Sequence, residues 1–121
     1  MNPRKSQQVF KVATRAAWDN ARVTGTLAAS ADDERDGYIH LSAAHQLAGT
    51  LAKHFKEKKD LVLIAFDAAA LGEGLRWERS RGEEVFPHLY ASLPTSAARA
   101  AFALELGADG RHILPEGVAQ C

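Results

Sequence analysis

The sequence has little cysteine, no net charge and no long apolar run. Its single cysteine, Cys121, excludes an intramolecular disulfide and a zinc site built from several cysteines, and it favours a reducing compartment. Fifteen basic residues balance fifteen acidic ones, so we do not expect a dedicated binder of nucleic acid or of anionic membranes. The longest apolar run, Leu61 to Phe66, is too short to span a bilayer. We therefore expect a cytoplasmic protein.

The opening of the chain predicts a strand followed directly by a helix. The length of 121 residues suits one domain, and we expect a flexible polar leader over residues 1–8 and a single α+β domain over residues 9–121. Val9 to Ala13 alternates apolar and polar residues, which is typical of a strand. Thr14 and Gly25 are suited to cap the two ends of a helix between them.

The next segment predicts a loop, a short strand and a second helix. Thr26 to Gly37 has little periodicity and carries a run of acidic residues, so it predicts an exposed loop. Tyr38 to Leu41 predicts a strand. Ser42 is placed to cap the helix that follows, in which apolar residues recur every four positions from Leu47 to Phe55. This is the clearest helix in the sequence.

The second half of the chain predicts several short elements around one buried strand. Leu61 to Phe66 is apolar at every position and predicts a central strand that is buried on both faces. Helices and strands in this mixed order predict an α+β fold with a small split or strongly bent sheet and short helices. The remaining expected elements are a helical turn over Ala68 to Gly72, strands at Leu75 to Glu78 and Glu84 to Phe86, a helical segment from Pro94, a strand over Ala101 to Leu106, and a hairpin at Asp109-Gly110.

Three short pieces, taken in order, resemble an uncharacterised bacterial family, domain of unknown function 952. They are Asp36 to Ser42, Leu75 to Glu78, and Phe86 to Tyr90. Each piece alone is a weak signal, whereas the ordered set is specific. The resemblance covers most of the chain, from Val9 to Leu114, and it implies no particular activity.

A second and more distant resemblance is to a family of enzymes and therefore implies a reaction. His40 to Ser42, the helix that follows, Leu61 to Asp67, and the stretch from Ser80 to Pro94 look like the C-terminal half of RNA 2'-phosphotransferases. Those enzymes share the ADP-ribosyltransferase fold, which builds an NAD site in the cleft between two small sheets. The resemblance implies an ADP-ribosyltransferase-like fold here, with NAD as the candidate cofactor or substrate. Those enzymes need a separate N-terminal half, for which this chain has no room, so RNA dephosphorylation is not implied.

The candidate catalytic residues are two histidines and two glutamates. His40, at the end of a predicted strand, can move a proton near neutral pH or bind a ribose or phosphate, and a half-buried structural histidine is the alternative. His88 is predicted in a loop with its ring facing outward, either in a site or bonded to a nearby carbonyl. Glu84 resembles the glutamate that stabilises the oxocarbenium-like transition state in ADP-ribosyltransferases. Glu78 is the second candidate acid, and for both glutamates a solvated or arginine-paired carboxylate is the alternative.

The candidate ligand-binding residues are aromatic, basic or hydroxylic. Trp77 and Tyr90 could stack on a flat heterocycle, although core packing is the usual role of a tryptophan. Ser42 either caps its helix or helps that helix N-terminus to receive an anion. Arg79 and Arg81 would share one face of a strand and could bind a phosphate, while solvated surface is the alternative.

Two further site classes are not expected. No metal-ligand spacing such as His-Glu-x-x-His occurs, so no metal site is predicted, and His45, His54 and His112 are expected to be surface residues. The nucleophile motif Gly-x-Ser-x-Gly is also absent from the sequence. The leading hypothesis is an NAD-binding or nucleotide-binding domain that catalyses transfer or hydrolysis at a glycosidic carbon. The alternatives are a non-catalytic module that binds a small polar ligand or a peptide, and an interaction protein with structural histidines.

Overall fold

Ten strands and four α-helices make up the part of the chain that this computed structural model describes, residues 7–79, 84–116 and 118. The strands are β1 (Gln8–Thr14), β2 (Thr26–Leu27), β3 (Ile39–His40), β4 (Ser42–Ala43), β5 (Leu61–Asp67), β6 (Leu75–Arg79), β7 (Val85–Leu89), β8 (Leu93–Pro94), β9 (Ala98–Leu106) and β10 (His112–Ile113). The helices are α1 (Arg15–Thr24), α2 (Ala31–Asp36), α3 (Leu47–His54) and α4 (Ala68–Leu71).

The strands form separate antiparallel sheets. Five strands pair in the order β10, β9, β5, β1, β4, three pair in the order β3, β7, β6, and β2 pairs with β8. Leu41 lies between β3 of the three-stranded sheet and β4 of the five-stranded sheet, and its N–H donates to the carbonyl of Pro87 at 3.1 Å. The chain thus passes from one sheet to the other at Leu41. The prediction of mixed helices and strands with a split sheet is confirmed.

Strand β5 is the centre of the five-stranded sheet, as predicted. It pairs with β1 on one side and β9 on the other, and every residue from Leu61 to Phe66 is buried. Because successive side chains point to opposite faces, the strand contributes to two hydrophobic clusters. Val62, Ile64 and Phe66 belong to the first cluster, and Leu61, Leu63 and Ala65 belong to the second.

Helix α1 has the caps that the sequence predicts. The hydroxyl of Thr14 accepts a hydrogen bond from the N–H of Ala17 at 3.1 Å, which satisfies one of the free donors of the first turn. Gly25 ends the helix with a φ of 93°, a left-handed conformation that glycine adopts without strain.

The predicted loop from Thr26 to Gly37 is wrong. This segment forms β2 and then α2, whose N-terminus is a capping box. The N–H of Asp33 donates to the hydroxyl of Ser30 at 3.2 Å, and the N–H of Ser30 donates to the carboxylate of Asp33 at 3.0 Å. Hydrophobic periodicity does not reveal α2, because the helix has six residues and only Asp33 among them is buried.

The predicted cap at Ser42 is also wrong. Ser42 lies on β4, and its hydroxyl shares a hydrogen bond with that of Thr50 at 2.8 Å. The α-helix begins later, at Leu47, after a 3-10 turn. The side-chain oxygen of Gln46 accepts a hydrogen bond from the backbone N–H of Ala43 at 2.9 Å, at the start of this 3-10 turn.

The hairpin predicted at Asp109-Gly110 is present, and so are the strands predicted at Leu75 to Glu78 and at Glu84 to Phe86. Gly110, with a φ of 83°, lies in the turn that joins β9 to the antiparallel β10, which confirms the hairpin at Asp109-Gly110. Strands β6 and β7 form where two strands are predicted, and they pair antiparallel; residues 80–83 between them, where the sequence suggests a turn, lie outside the described residues. Within the described residues, no helix has the length and apolar character needed to cross a membrane.

A buried ion pair joins β1, α2 and β3. The ammonium of Lys11 lies 3.0 Å from the carboxylate of Asp33, and these two residues are only 7% and 2% exposed. The same ammonium donates to the carbonyl of His40 at 3.1 Å. Since a buried charge is tolerated only with partners, these three residues depend on one another.

We expect Asp33→Asn to lower the free energy of unfolding by about 3–5 kcal/mol, because it leaves the buried ammonium of Lys11 without a counter-charge. Lys11→Met keeps the volume of the side chain and leaves the Asp33 carboxylate its other donors, so we expect a smaller loss of about 1–2 kcal/mol. Urea denaturation at neutral pH measures both variants. The control is Asp32→Asn, which breaks an exposed ion pair and should cost less than about 1 kcal/mol. A loss for Lys11→Met that equals or exceeds that for Asp33→Asn would contradict this account.

Candidate functional site

A cavity of about 430 Å³ lies beside the point where the two larger sheets meet. Its lining residues come from β1, α2, β3, β4, β7 and α3 with the 3-10 turn before it, and we call it the central cavity. Its volume is in the range of sites for small molecules. Four of the predicted site residues line it, namely His40, Ser42, Glu84 and His88.

His40 is held between two carboxylates. Its Nδ1 lies 2.7 Å from Oδ1 of Asp33, and its Nε2 lies 2.9 Å from Oδ2 of Asp36. The backbone N–H of His40 also donates to Asp33 at 3.0 Å. In the doubly protonated ring both nitrogens donate to these carboxylates, whereas the neutral ring can donate only one of the two hydrogen bonds. His40 is therefore a firmly oriented ring with both nitrogens engaged.

The carboxylate of Asp33 stays ionised despite its burial. Burial alone raises the pKa of Asp33, but the charge of Lys11 and hydrogen bonds from Ser30 and His40 oppose it and lower the pKa to about 2. The carboxylate can therefore act as a permanent acceptor for the His40 ring at neutral pH.

His88 is the second oriented ring, and its predicted place in an outward-facing loop is wrong. It lies on β7 and is only 2% exposed. Its Nδ1 lies 2.8 Å from Oε1 of Glu78, and the hydroxyl of Tyr90 donates to the same oxygen at 2.7 Å. These hydrogen bonds, first that from His88 and then that from Tyr90, lower the pKa of Glu78. Because an ionised carboxylate only accepts, Nδ1 of His88 carries its proton toward Glu78, which leaves Nε2 as the acceptor of the neutral ring.

An aromatic cluster holds the two histidines together. His40 and His88 occupy paired positions of β3 and β7, and their ring centroids are 5.9 Å apart. The ring of Tyr38 stacks on His88 with centroids 4.0 Å apart and an interplanar angle of 22°, and it lies 4.7 Å from His40. Burial, and then the charges of Asp36 and Glu78, raise the pKa of Tyr38, so its hydroxyl stays protonated. Tyr38 precedes His40 by two positions, a spacing that could have identified it as a residue of the same strand face.

Several predicted ligand-binding residues do not line the cavity. Trp77 packs against the first hydrophobic cluster, and Arg79 is exposed at the end of β6. Tyr90 contacts the site through Glu78 and is itself 42% exposed. Arg81 lies outside the described residues. Trp77 and Glu78 are neighbours on β6 and point to opposite faces, so Trp77 faces the hydrophobic cluster, while Glu78 contacts His88 without lining the cavity itself.

The exposed face of α3 was missed as part of the cavity. His45 and His54 are exposed, as predicted for surface residues, yet both line the cavity together with Gly49 and Lys53. The Nε2 of His45 lies 3.4 Å from the carboxylate of Glu84. The signal in the sequence is the spacing of four residues from His45 to Gly49 and from Gly49 to Lys53. Among the described residues, no three metal-ligating side chains converge in a way that could hold a metal ion.

Comparison with known proteins assigns the family. A family model described as "Protein of unknown function (DUF952)" matches residues 12–101, which is most of the chain. The chain belongs to the DUF952 family. No curated protein matches the DUF952 chain. The resemblance to RNA 2'-phosphotransferases and the ADP-ribosyltransferase-like fold therefore stay predictions.

The DUF952 chain is similar to a solved protein, CC0527 from Caulobacter crescentus. The crystal structure of CC0527 has 45% sequence identity and a TM-score of 0.87, and the match covers 93% of this chain and 98% of that chain. Its solution NMR structure has 46% identity and a TM-score of 0.78, with 86% and 90% covered. These relatives support the fold of the DUF952 chain and name no activity.

The free energy of unfolding should fall at low pH in part because the Asp33 carboxylate becomes protonated. Its pKa is lowered from 3.8 to about 2 in the folded protein, so its contribution to stability is present above pH 4 and is lost as the pH falls through 2. We expect the difference in unfolding free energy between wild type and Asp33→Asn to shrink by about 1 kcal/mol from pH 5 to pH 3, and by about 2 kcal/mol at pH 2. Urea denaturation at each pH measures it. A difference that stays constant with pH would contradict an ionised Asp33.

Proposed function

We propose that the DUF952 chain binds a nucleotide such as NAD in the central cavity, and that His88 accepts a proton during transfer or hydrolysis at a glycosidic carbon. The observation that carries the proposal is the contact between Nδ1 of buried His88 and Glu78, beside the cavity that His88 lines. A histidine oriented by a carboxylate in this way is the usual arrangement of a general base. The proposal combines this geometry with the distant resemblance to RNA 2'-phosphotransferases.

The environment of His88 suits proton transfer. Stacking on Tyr38 and the hydrogen bond to Glu78 restrict rotation of the ring, so its Nε2 needs little reorganisation before a reaction. In hydrolysis of NAD, the oxygen of a water molecule forms a bond to the anomeric carbon, and the bond from that carbon to the nicotinamide nitrogen breaks, with the electron pair leaving on nicotinamide. Nε2 of His88 takes a proton from the water. NAD and water then give ADP-ribose, nicotinamide and one proton.

The cavity offers groups that a nucleotide needs. The stacked Tyr38 is a flat aromatic surface, the paired hydroxyls of Ser42 and Thr50 can exchange hydrogen bonds with ribose, and the ammonium of Lys53 can pair with phosphate. Glu84 is a cavity residue whose role in stabilising an oxocarbenium-like transition state rests on the resemblance alone.

A non-catalytic binding module is the second candidate, and the surroundings of His40 favour it. Both ring nitrogens of His40 are engaged by carboxylates, so no ring nitrogen is available for a reacting group without breaking a contact. His40 then maintains the cavity wall, and the cavity recognises a small polar ligand without changing it.

Thermal shift and nicotinamide release together distinguish the two candidates. We expect NAD and ADP-ribose to raise the Tm of the wild-type protein and NAD to be converted to nicotinamide. Glu78→Gln should lower kcat by about tenfold or more while it changes ligand affinity little, because it removes the carboxylate charge and introduces an amide N–H that can donate to Nδ1 of His88. His112→Ala is the control, since His112 contacts the carbonyl of Lys58 and does not line the cavity.

The outcomes of this experiment separate the hypotheses. Binding without turnover in the wild type would support the binding module and reject the catalytic role of His88. The absence of any Tm shift with NAD or ADP-ribose would reject nucleotide binding itself.

A further inference from the structure

Helix α3 presents a gap to the central cavity at Gly49. Gly49 and Lys53 lie on α3 and His45 lies on the 3-10 turn before it; the three are spaced by four residues and all line the cavity. Glycine is less favourable than alanine inside a helix, yet a Cβ placed on Gly49 would meet no atom within 4 Å. Crowding within the protein therefore does not account for this glycine. The open space above it is part of the cavity.

The negative charges on α2 that line the cavity have positive partners. The Asp33 carboxylate is matched by Lys11 at 3.0 Å. The guanidinium of Arg35 contacts Asp36 at 3.0 Å and Asp32 at 3.1 Å. These ion pairs reduce the negative potential that an incoming anion would meet.

The basic side chains on α3 and on the 3-10 turn before it are not matched in the same way. Lys53 has no ionic or hydrogen-bonding partner within the described part of the chain, although it lines the cavity. His45 faces Glu84 across 3.4 Å, a long contact between two side chains that are 64% and 51% exposed. Such an exposed pair is weak and can be replaced by a stronger acceptor. Lys53 and His45 are thus donors that a ligand can use.

We propose that a phosphate or diphosphate group of the ligand lies across Gly49, between the side chains of His45 and Lys53. The missing side chain at Gly49 lets the oxygens of the anion approach the helix closely, and the ammonium of Lys53 supplies the charge. His45 donates from Nε2, the atom that faces Glu84 in this structure. This inference rests on the proposed function for the identity of the ligand, and it adds the place and orientation of the phosphate.

Two variants test the site against matched controls. Gly49→Leu fills the space above the helix with a better helix former, so we expect an unchanged or higher Tm without ligand. We expect the dissociation constant of this variant for inorganic pyrophosphate to rise by about tenfold or more. Lys53→Gln should lower the affinity for pyrophosphate by about tenfold and remove most of the salt dependence of this binding. The controls are Ala52→Leu and Lys59→Gln, which change exposed positions outside the cavity lining and should bind as the wild type does.

Calorimetry with pyrophosphate, ADP-ribose and adenosine gives each result a meaning. Loss of pyrophosphate and ADP-ribose binding in both variants, with both controls unaffected, would support the site. ADP-ribose binding that survives both substitutions would overturn the phosphate site and leave the proposed function standing. Pyrophosphate binding that depends on Lys53, without binding of ADP-ribose or adenosine, would support the anion site and reject the nucleotide. No pyrophosphate binding to the wild type would overturn the inference.

Discussion

The hydrogen bonds and ion pair that satisfy the buried Asp33 carboxylate hold the candidate site together. Lys11 comes from β1, the backbone N–H of Ser30 from the start of α2 and His40 from β3, and all three converge on this one side chain. Because a buried charge without partners is costly, the carboxylate requires these segments to stay in contact. The position of α2, the orientation of His40 and the shape of the cavity all depend on it.

Carboxylates orient both histidines of the site, but in different ways. His40 is engaged at both ring nitrogens, by Asp33 and Asp36, which suits a residue that maintains structure. His88 is engaged by Glu78 at Nδ1 only, which suits a residue that exchanges a proton through Nε2. Because the sheet is split, the chain leaves β3 at Leu41 and continues into β4 and α3. Both of these elements line the same cavity as the two histidines.

Local signals predicted much of the fold, whereas the site depends on contacts between distant segments. The caps Thr14 and Gly25 and the apolar run of β5 act over a few residues, and these elements form as predicted. Helix α2 has no apolar stripe, and the partner of Asp33 is Lys11, 22 positions away. Neither periodicity nor composition can reveal such a pair.

The same limit explains the misplaced site residues. The burial of His88 depends on stacking with Tyr38, which is far away in sequence, so a prediction from its neighbours alone gave a loop. Gly49 carries no chemical signal of its own, and its open surroundings become visible only in the folded chain. The family match covers residues 12–101 and names no site, so these residues had to be found from the geometry.

The tautomer of His88 tests the central claim most directly. Long-range nitrogen-15 NMR of the histidine rings, at a pH where His88 is neutral, distinguishes a proton on Nδ1 from one on Nε2. The account predicts that His88 carries its proton on Nδ1, toward Glu78, and that Glu78→Gln lowers the population of this tautomer. A wild-type His88 protonated on Nε2 would contradict the account, because Nε2, the ring nitrogen that Glu78 does not engage, would then be unable to accept a proton.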